Sequence, residues 1–286
     1  MSRATAIELG RTGRLDHALG RWLRVLGLGL VLGLLAFAIF GPLVNLALWA
    51  FAEKWYFPHK LPLEYGVSFW ERVFRPQGNA MESLGNSIAI ALFTVAVCLV
   101  VSVPAGYALA RRGLPLRALI LLAFLLPQAF PSLAVYINVA RIFYGLGLNG
   151  TIMGVVLVHT MHGLVFAVWI STAAFAAVDR ELEDAARNIG ATPLHAFLTV
   201  TLPLAAPGIM ASAIFVFLES LDEFTGTFFV GVPDVTTLPL LLFRASMEGN
   251  YQIASITALI LLVPSIGFML FIERFLKADV LAKVGS

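Results

Sequence analysis

The chain has 286 residues, of which 59% are hydrophobic and only 13% charged, with a mean hydropathy of +0.89. Soluble domains average about 25% charged residues, so this chain lacks the polar surface to cover a water-soluble globule and reads as an integral membrane protein. A net charge of +2 is too small to suggest a nucleic-acid partner, and the single cysteine, Cys98, excludes an internal disulfide.

Crossing a bilayer takes about 20 mainly apolar residues. Residues 1–22 form an N-terminal segment, and the runs after it predict six membrane helices: Leu23–Phe51, Leu84–Ala110, Ala118–Ala140, Thr151–Val178, Leu204–Leu221 and Ile253–Phe275. The first run is longer than the roughly 7–15-residue apolar stretch of a signal peptide and reads as a retained span. The expected architecture is an all-α polytopic membrane protein. It has a mixed-charge segment at 52–83, a five-helix core at 84–276 containing a polar loop at 179–203, and a tail at 277–286.

Lysine and arginine placement sets the orientation. Arg3, Arg11, Arg14, Arg21 and Arg24 precede the first span, Arg111, Arg112 and Arg117 follow the second, and Arg274, Lys277 and Lys283 follow the last. All fall on one side, which predicts cytoplasmic termini and a cytoplasmic 179–203 loop. Trp49, Trp55, Tyr56 and Trp70 lie near the outer boundary, as an aromatic belt would, and "SFWERVF" reads as an amphipathic helix on that surface.

Several residues inside the spans have modest readings. Gly27, Gly29 and Gly33 suit close packing of the first span. Pro104, Pro127, Pro131, Pro203, Pro207 and Pro264 are expected to bend helices. His159 and His162 lie at i and i+3 in the fourth span with no further His or Cys near in sequence. A polar contact with another span suits them better than a metal site.

The loop "DRELEDAARNIGATPLHAFLTVTLP" is patterned. Asp179 can cap a helix, and Glu181, Glu183 and Asp184 favour its positive N-terminal end. Gly190 suits the helix stop, and Thr192-Pro193 reads as a second start. Leu182, Ala185, Ala186 and Ile189 make one apolar stripe, flanked by Asp184, Arg187 and Asn188. The stripe either packs on the chain's own helices or docks in a partner's groove, and periodicity alone leaves both readings open.

The segment resembles the signature loop of ABC importer permeases: Glu-Ala-Ala, three residues, Gly, about nine residues, then Ile-x-Leu-Pro. Asp184-Ala185-Ala186, Gly190 and Val200-Thr201-Leu202-Pro203 take those places, with Asp for Glu and Val for Ile. The likeness extends over about Leu84 to Phe275, including "NSIAIALFTVAVCLVVSVPAGYALAR". It implies a type I permease fold in a bacterial inner membrane and a coupling helix seated on a separate ATPase, with Leu182, Asp184, Ala185, Ala186, Arg187, Ile189, Gly190, Leu202 and Pro203 as coupling residues. The implied partners are two copies of the ATP-binding subunit, a second permease in a heterodimer, and a periplasmic or lipid-anchored solute-binding protein. The four lysines, Lys54, Lys60, Lys277 and Lys283, fit no Gly-Lys-Ser/Thr phosphate loop. ATP and magnesium are therefore expected on the partner, with no cofactor and no enzymatic activity in this chain.

Glu219, Asp222 and Glu223 are expected to share one helix face at i, i+3 and i+4. Acids within a span usually face a cavity or a partner. Here they read either as an interfacial cluster, hydrated or paired with Arg141 or Arg244, or as a negative lining of a solute path. "SLDEF…TFF…G…TTLPL" resembles permeases of polyamine-type importers, a branch that also handles opines and phosphonates, which implies a small solute of the polyamine, opine or phosphonate kind. Two other classes differ in their expected signatures. A proton-coupled secondary transporter often shows duplicated halves, and no duplication is visible. A membrane enzyme would carry a string such as His-Glu-x-x-His or Gly-x-Ser-x-Gly, and neither occurs.

Overall fold

The computed structural model describes the backbone of residues 3–284 and the side chains of residues 25–274. The helix α1 (Arg3–Ala50) runs unbroken through the expected boundary at residue 22. A hairpin of β1 (Ala52–Lys54) and β2 (Glu64–Tyr65) follows, with Ala52 opposite Tyr65 and Lys54 opposite Glu64. Then come α2 (Ser68–Phe74), α3 (Ala80–Arg111), α4 (Arg117–Ala129), α5 (Ser132–Leu146) and α6 (Ile152–Ala177). The polar loop holds α7 (Arg180–Asn188) and α8 (Pro193–Ala196). The chain ends with α9 (Leu202–Asp222), α10 (Thr225–Val230), α11 (Leu238–Met247) and α12 (Tyr251–Val284). The side chains of the N-terminal arginines and of Lys277 and Lys283 lie outside the described residues.

Among the described residues, five stretches are long and apolar enough to cross a membrane: Val25–Ala50, Ala80–Arg111, Ile152–Ala177, Pro193–Asp222 and Tyr251–Arg274. The expected third span, Ala118–Ala140, is not one helix. It is the pair α4 and α5, bent by 94° at Phe130-Pro131, and counts as a sixth span only if the pair is taken together. The reason is local. A residue before proline is driven from helical to extended backbone, and Phe130 sits at φ −105°, ψ 150°.

The fifth span starts earlier than its apolar run, because α8 continues through a π-helical turn at Phe197–Thr201 into α9. Proline inside a helix clashes with the carbonyl four residues back and cannot donate to it. Pro203 would strike Thr199 in that way, and the widened turn just before it removes the conflict.

The centre of the molecule is α3, α6 and α9. Lipid tails are as apolar as leucine, so helices in a bilayer associate through close packing rather than by escaping water. Their contacts are accordingly built on small residues. A Cβ on Gly106 of α3 would lie 2.9 Å from the backbone of Ser171 and Thr172 in α6, and one on Gly163 would meet Val216 at 3.1 Å and Cys98 at 3.2 Å. Ser171 donates to Ser102 at 3.3 Å between the same helices. The α1 helix lies along α12. At its end Trp49 stacks on Trp55 at 4.2 Å and tilts against Tyr251 at 5.2 Å, while Trp70 Nε1 donates to the Ala50 carbonyl at 2.8 Å. The expected aromatic belt is thus a packed cluster, with the amphipathic α2 beside it.

Candidate functional site

Both ends of α7 are closed as the sequence suggests. Asp179 accepts from the Glu181 amide at 3.0 Å. At the other end Gly190 N–H reaches Arg187 O at 3.0 Å, Ala191 N–H reaches Ala186 O at 3.1 Å, and Gly190 takes φ +101°. That bond pair with a left-handed glycine is a Schellman stop. The next helix opens on Thr192, whose hydroxyl accepts from His195 N at 3.3 Å.

The stripe does not pack on the membrane helices. Ile189 is 89% exposed and Leu182 49%, Ala185 is exposed and Ala186 half-buried. Burial on α7 belongs instead to Glu183, at 9% exposure. Its carboxylate accepts from Tyr107 Oη at 2.6 Å and from Thr201 Oγ1 at 2.9 Å, with Arg111 Nε at 3.7 Å. A buried carboxylate persists only when paired and hydrogen-bonded, and Glu183 has both. Arg111 also donates to Val178 O at 2.8 Å, and Arg180 donates to Ala110 O at 2.9 Å. The start of α7 is thereby tied to the end of α3, and through Thr201 to the π turn that leads into α9. Sequence reasoning gave Glu183 only a dipole role. The signal for more was its phase, since it lies off the stripe on a helix whose apolar face is fully accounted for. Leu202 packs among Phe175, Val178 and Ala205, and Pro203 is exposed.

The acids of the fifth span are divided by the structure. The expected shared face for Glu219, Asp222 and Glu223 is wrong at its third member. The α9 helix ends at Asp222, and Glu223 is extended at φ −75°, ψ 113°. Its carboxylate turns forward to accept from Gly226 N at 2.7 Å and also accepts from Tyr136 Oη at 3.0 Å. Glu223 is drawn off the helix because capping the next helix satisfies an amide that would otherwise be unpaired. Tyr136 Oη also lies 2.6 Å from His162 Nδ1. One hydroxyl has one proton, so with that proton on Glu223, Nδ1 must donate to complete the chain. Glu219 remains half-buried and Asp222 exposed, about 30 Å along the helix from Leu202 at 1.5 Å per residue. No ion pair joins either to Arg141 or Arg244 among the described residues.

His159 is held through both ring nitrogens, by Ser220 Oγ at 2.8 Å and Thr227 Oγ1 at 2.9 Å. It is therefore the polar tie between spans that its sequence position suggested. Among the described residues no group of three or more His, Cys, Asp or Glu side chains is placed to hold a metal.

The chain is similar to known proteins in sequence and in fold. Residues 102–278 match the family model described as binding-protein-dependent transport system inner membrane component. The trehalose transport system permease protein SugB of Mycobacterium tuberculosis is 32% identical over 201 residues, covering 68% of this chain and 73% of SugB. The putrescine transport system permease protein PotI of Escherichia coli is 28% identical over 206 residues, covering 69% of this chain and 73% of PotI. A bacterial ABC transporter that imports the acidic polysaccharide alginate superposes with a TM-score of 0.63 at 18% identity, over 88% of this chain and 96% of its own. The inward-facing MetNI methionine ABC transporter gives 0.58 at 17% identity, over 71% and 97%. These two likenesses are of fold.

Proposed function

The chain belongs to the family of binding-protein-dependent transport system inner membrane components, the permease subunits of ABC importers, and on that premise we propose that α7 is the helix through which a separate ATPase drives it. The observation that carries this reading is the pairing of an exposed apolar stripe with a fixed base. Leu182, Ala185 and Ile189 face outward, while Glu183 behind them is bonded to Tyr107 and Thr201. A stripe left in water on a rigidly held helix suits a partner's groove. The alanines at its centre let the groove approach the backbone. A push on α7 passes through Glu183 and Arg180 to α3, and through Thr201 to α9. Gly190 ends the helix, Leu202 and Pro203 join it to the span, and Asp184 and Arg187 lie on the side of α7 turned away from the stripe.

In this reading ATP and magnesium sit on the partner, and this chain is not an enzyme. It works with a second permease, two ATPase copies and an external solute-binding protein in a bacterial inner membrane. Glu219 and Asp222 line the outer part of the solute path, which favours a small solute carrying positive charge, of the polyamine type that PotI's name records. Glu223 serves structure instead, holding α10 to α5.

The decisive experiment replaces Ala185 with Glu in the assembled importer. The new carboxylate would be trapped unpaired at the docked surface, at a cost of about 1–3 kcal/mol or more. ATPase association should weaken by tenfold or more, since 1.4 kcal/mol is tenfold, and transport should fall with it. Uptake and association at wild-type levels would refute the docking assignment.

A further inference from the structure

Arg180, Glu183, Asp184 and Arg187 recur at i, i+3, i+4 and i+7 on α7, two positions out of step with the stripe. At about 100° per residue that puts them roughly 200° around the helix from it. Together with Tyr107, Arg111 and Arg112 at the end of α3, they line an open cavity of about 370 Å³. Four guanidinium groups face this space against two carboxylates, and Glu183 is already engaged by Tyr107, Thr201 and Arg111. Neither Arg112 nor Arg187 makes an ion pair among the described residues. The side chain of Arg111 is only 8% exposed, and its Nε lies 3.7 Å from Glu183, an ion pair too long for a hydrogen bond. Arg112 and Arg187, without ion pairs beside two further guanidinium groups, leave the cavity with an excess of positive charge that suits an acceptor with negative charge.

The cavity lies at the ends of two candidate spans, Ala80–Arg111 and Ile152–Ala177. Arg111 closes the 32-residue α3, and α7 opens at Arg180 three residues after α6 ends at Ala177. Basic pockets at such a level on the cytoplasmic side recruit anionic lipid headgroups. We propose that this cavity binds the phosphate of an anionic phospholipid of the inner leaflet, of the phosphatidylglycerol class. The phosphate would be clamped by Arg112 and Arg187, with the Arg111 guanidinium adding positive charge from behind them. The lipid would then bridge the end of α3 to α7 on the face away from the stripe, so it is compatible with a docked ATPase. The binding site rests on its own geometry, and only its consequence for coupling rests on the docking reading above.

The test uses the assembled importer in nanodiscs of phosphatidylcholine doped with phosphatidylglycerol. Retained phosphatidylglycerol is counted by native mass spectrometry without ATP, so the outcome is independent of the Ala185→Glu result. Each basic residue near an anionic headgroup contributes about fivefold in affinity. Retention should fall about fivefold in Arg112→Gln and about 25-fold in Arg112→Gln/Arg187→Gln, with most of it restored by the corresponding lysine pair. Arg274→Gln, on the basic end but outside the cavity, should leave it unchanged. Wild-type retention in the double variant would overturn the proposal, and so would an equal loss in Arg274→Gln, which would mean diffuse surface charge. Displacement of the lipid by millimolar inorganic phosphate would overturn the lipid assignment in favour of a soluble anion. If the double variant fails to assemble, Arg112→Gln decides, because Arg112 is exposed and outside every ion pair.

Discussion

Glu183 is the side chain that ties α7 to the membrane helices. It is the buried charge of α7, and its partners come from α3 and from the π turn. Tyr107→Phe removes one donor and leaves a carboxylate oxygen unsatisfied, a loss of about 1–3 kcal/mol. At about 2–4 °C per kcal/mol for a chain of this size, the melting temperature should drop by several degrees. Glu183→Ala goes further, because it strands Arg111, and breaking a buried pair costs about 3–5 kcal/mol. If the network is the transmission, ATP hydrolysis should persist while uptake falls more steeply than stability does. Thermal denaturation and coupled uptake on the same preparations check this, and equal losses in both would reduce Glu183 to a structural role. Its partners were not legible in the sequence, because Tyr107 lies 76 residues away and nothing in the loop's periodicity points to α3. The caps at Asp179, Gly190 and Thr192 were legible, since each bond closes within five residues.

At the scale of elements, local chemistry and long-range packing divide the same way. Length and hydropathy located the spans. Pro131 was legible as a bend, but not as a 94° break between α4 and α5, because the size of a proline break depends on what the two halves pack against. The acids at the end of α9 misled the reading for a related reason. A helical period assumes the helix continues, whereas Glu223 leaves it to cap α10 and meet Tyr136. The α10 packing is tight, since a Cβ on Gly226 would lie 2.2 Å from Val158 and 3.3 Å from Tyr136. Gly226→Ala is expected to cost about 1–3 kcal/mol through overpacking and to displace Tyr136 from Glu223. Gly106→Val should be more damaging still, because the obstacle at 2.9 Å is α6 backbone, which cannot rotate away. Both are measured as loss of folded, assembled complex in detergent. Normal assembly of Gly106→Val would mean that α3 and α6 lie farther apart than described.

For the molecule as a whole, the acids at the end of α9 bear on which solute it carries. Glu219 and Asp222 lie about 25 and 30 Å from the base of α9, at the end opposite α7, and no arginine neutralises them among the described residues. A pair of unit charges 4 Å apart is worth only about 1 kcal/mol in water and several-fold more in a vestibule of lower dielectric. A path must also release what it attracts, so a deep well would stall transport. Asp222→Asn should therefore lower uptake of a cationic solute severalfold to about tenfold, the range that 1–1.4 kcal/mol gives, without abolishing it. Glu219→Gln should act similarly and the double change should be worse, whereas Glu223→Gln should show its loss in assembly, because its carboxylate caps α10 and receives Tyr136. The assay is uptake of the solute carried by the co-encoded binding protein, in vesicles holding all partner chains at matched expression. Raising ionic strength should shrink the difference between wild type and Asp222→Asn, because exposed charges are screened over about 8–10 Å at physiological salt. If Asp222→Asn and Glu219→Gln are both silent, or if the bound solute is an anion, these acids are interfacial polar groups and the solute path is lined elsewhere.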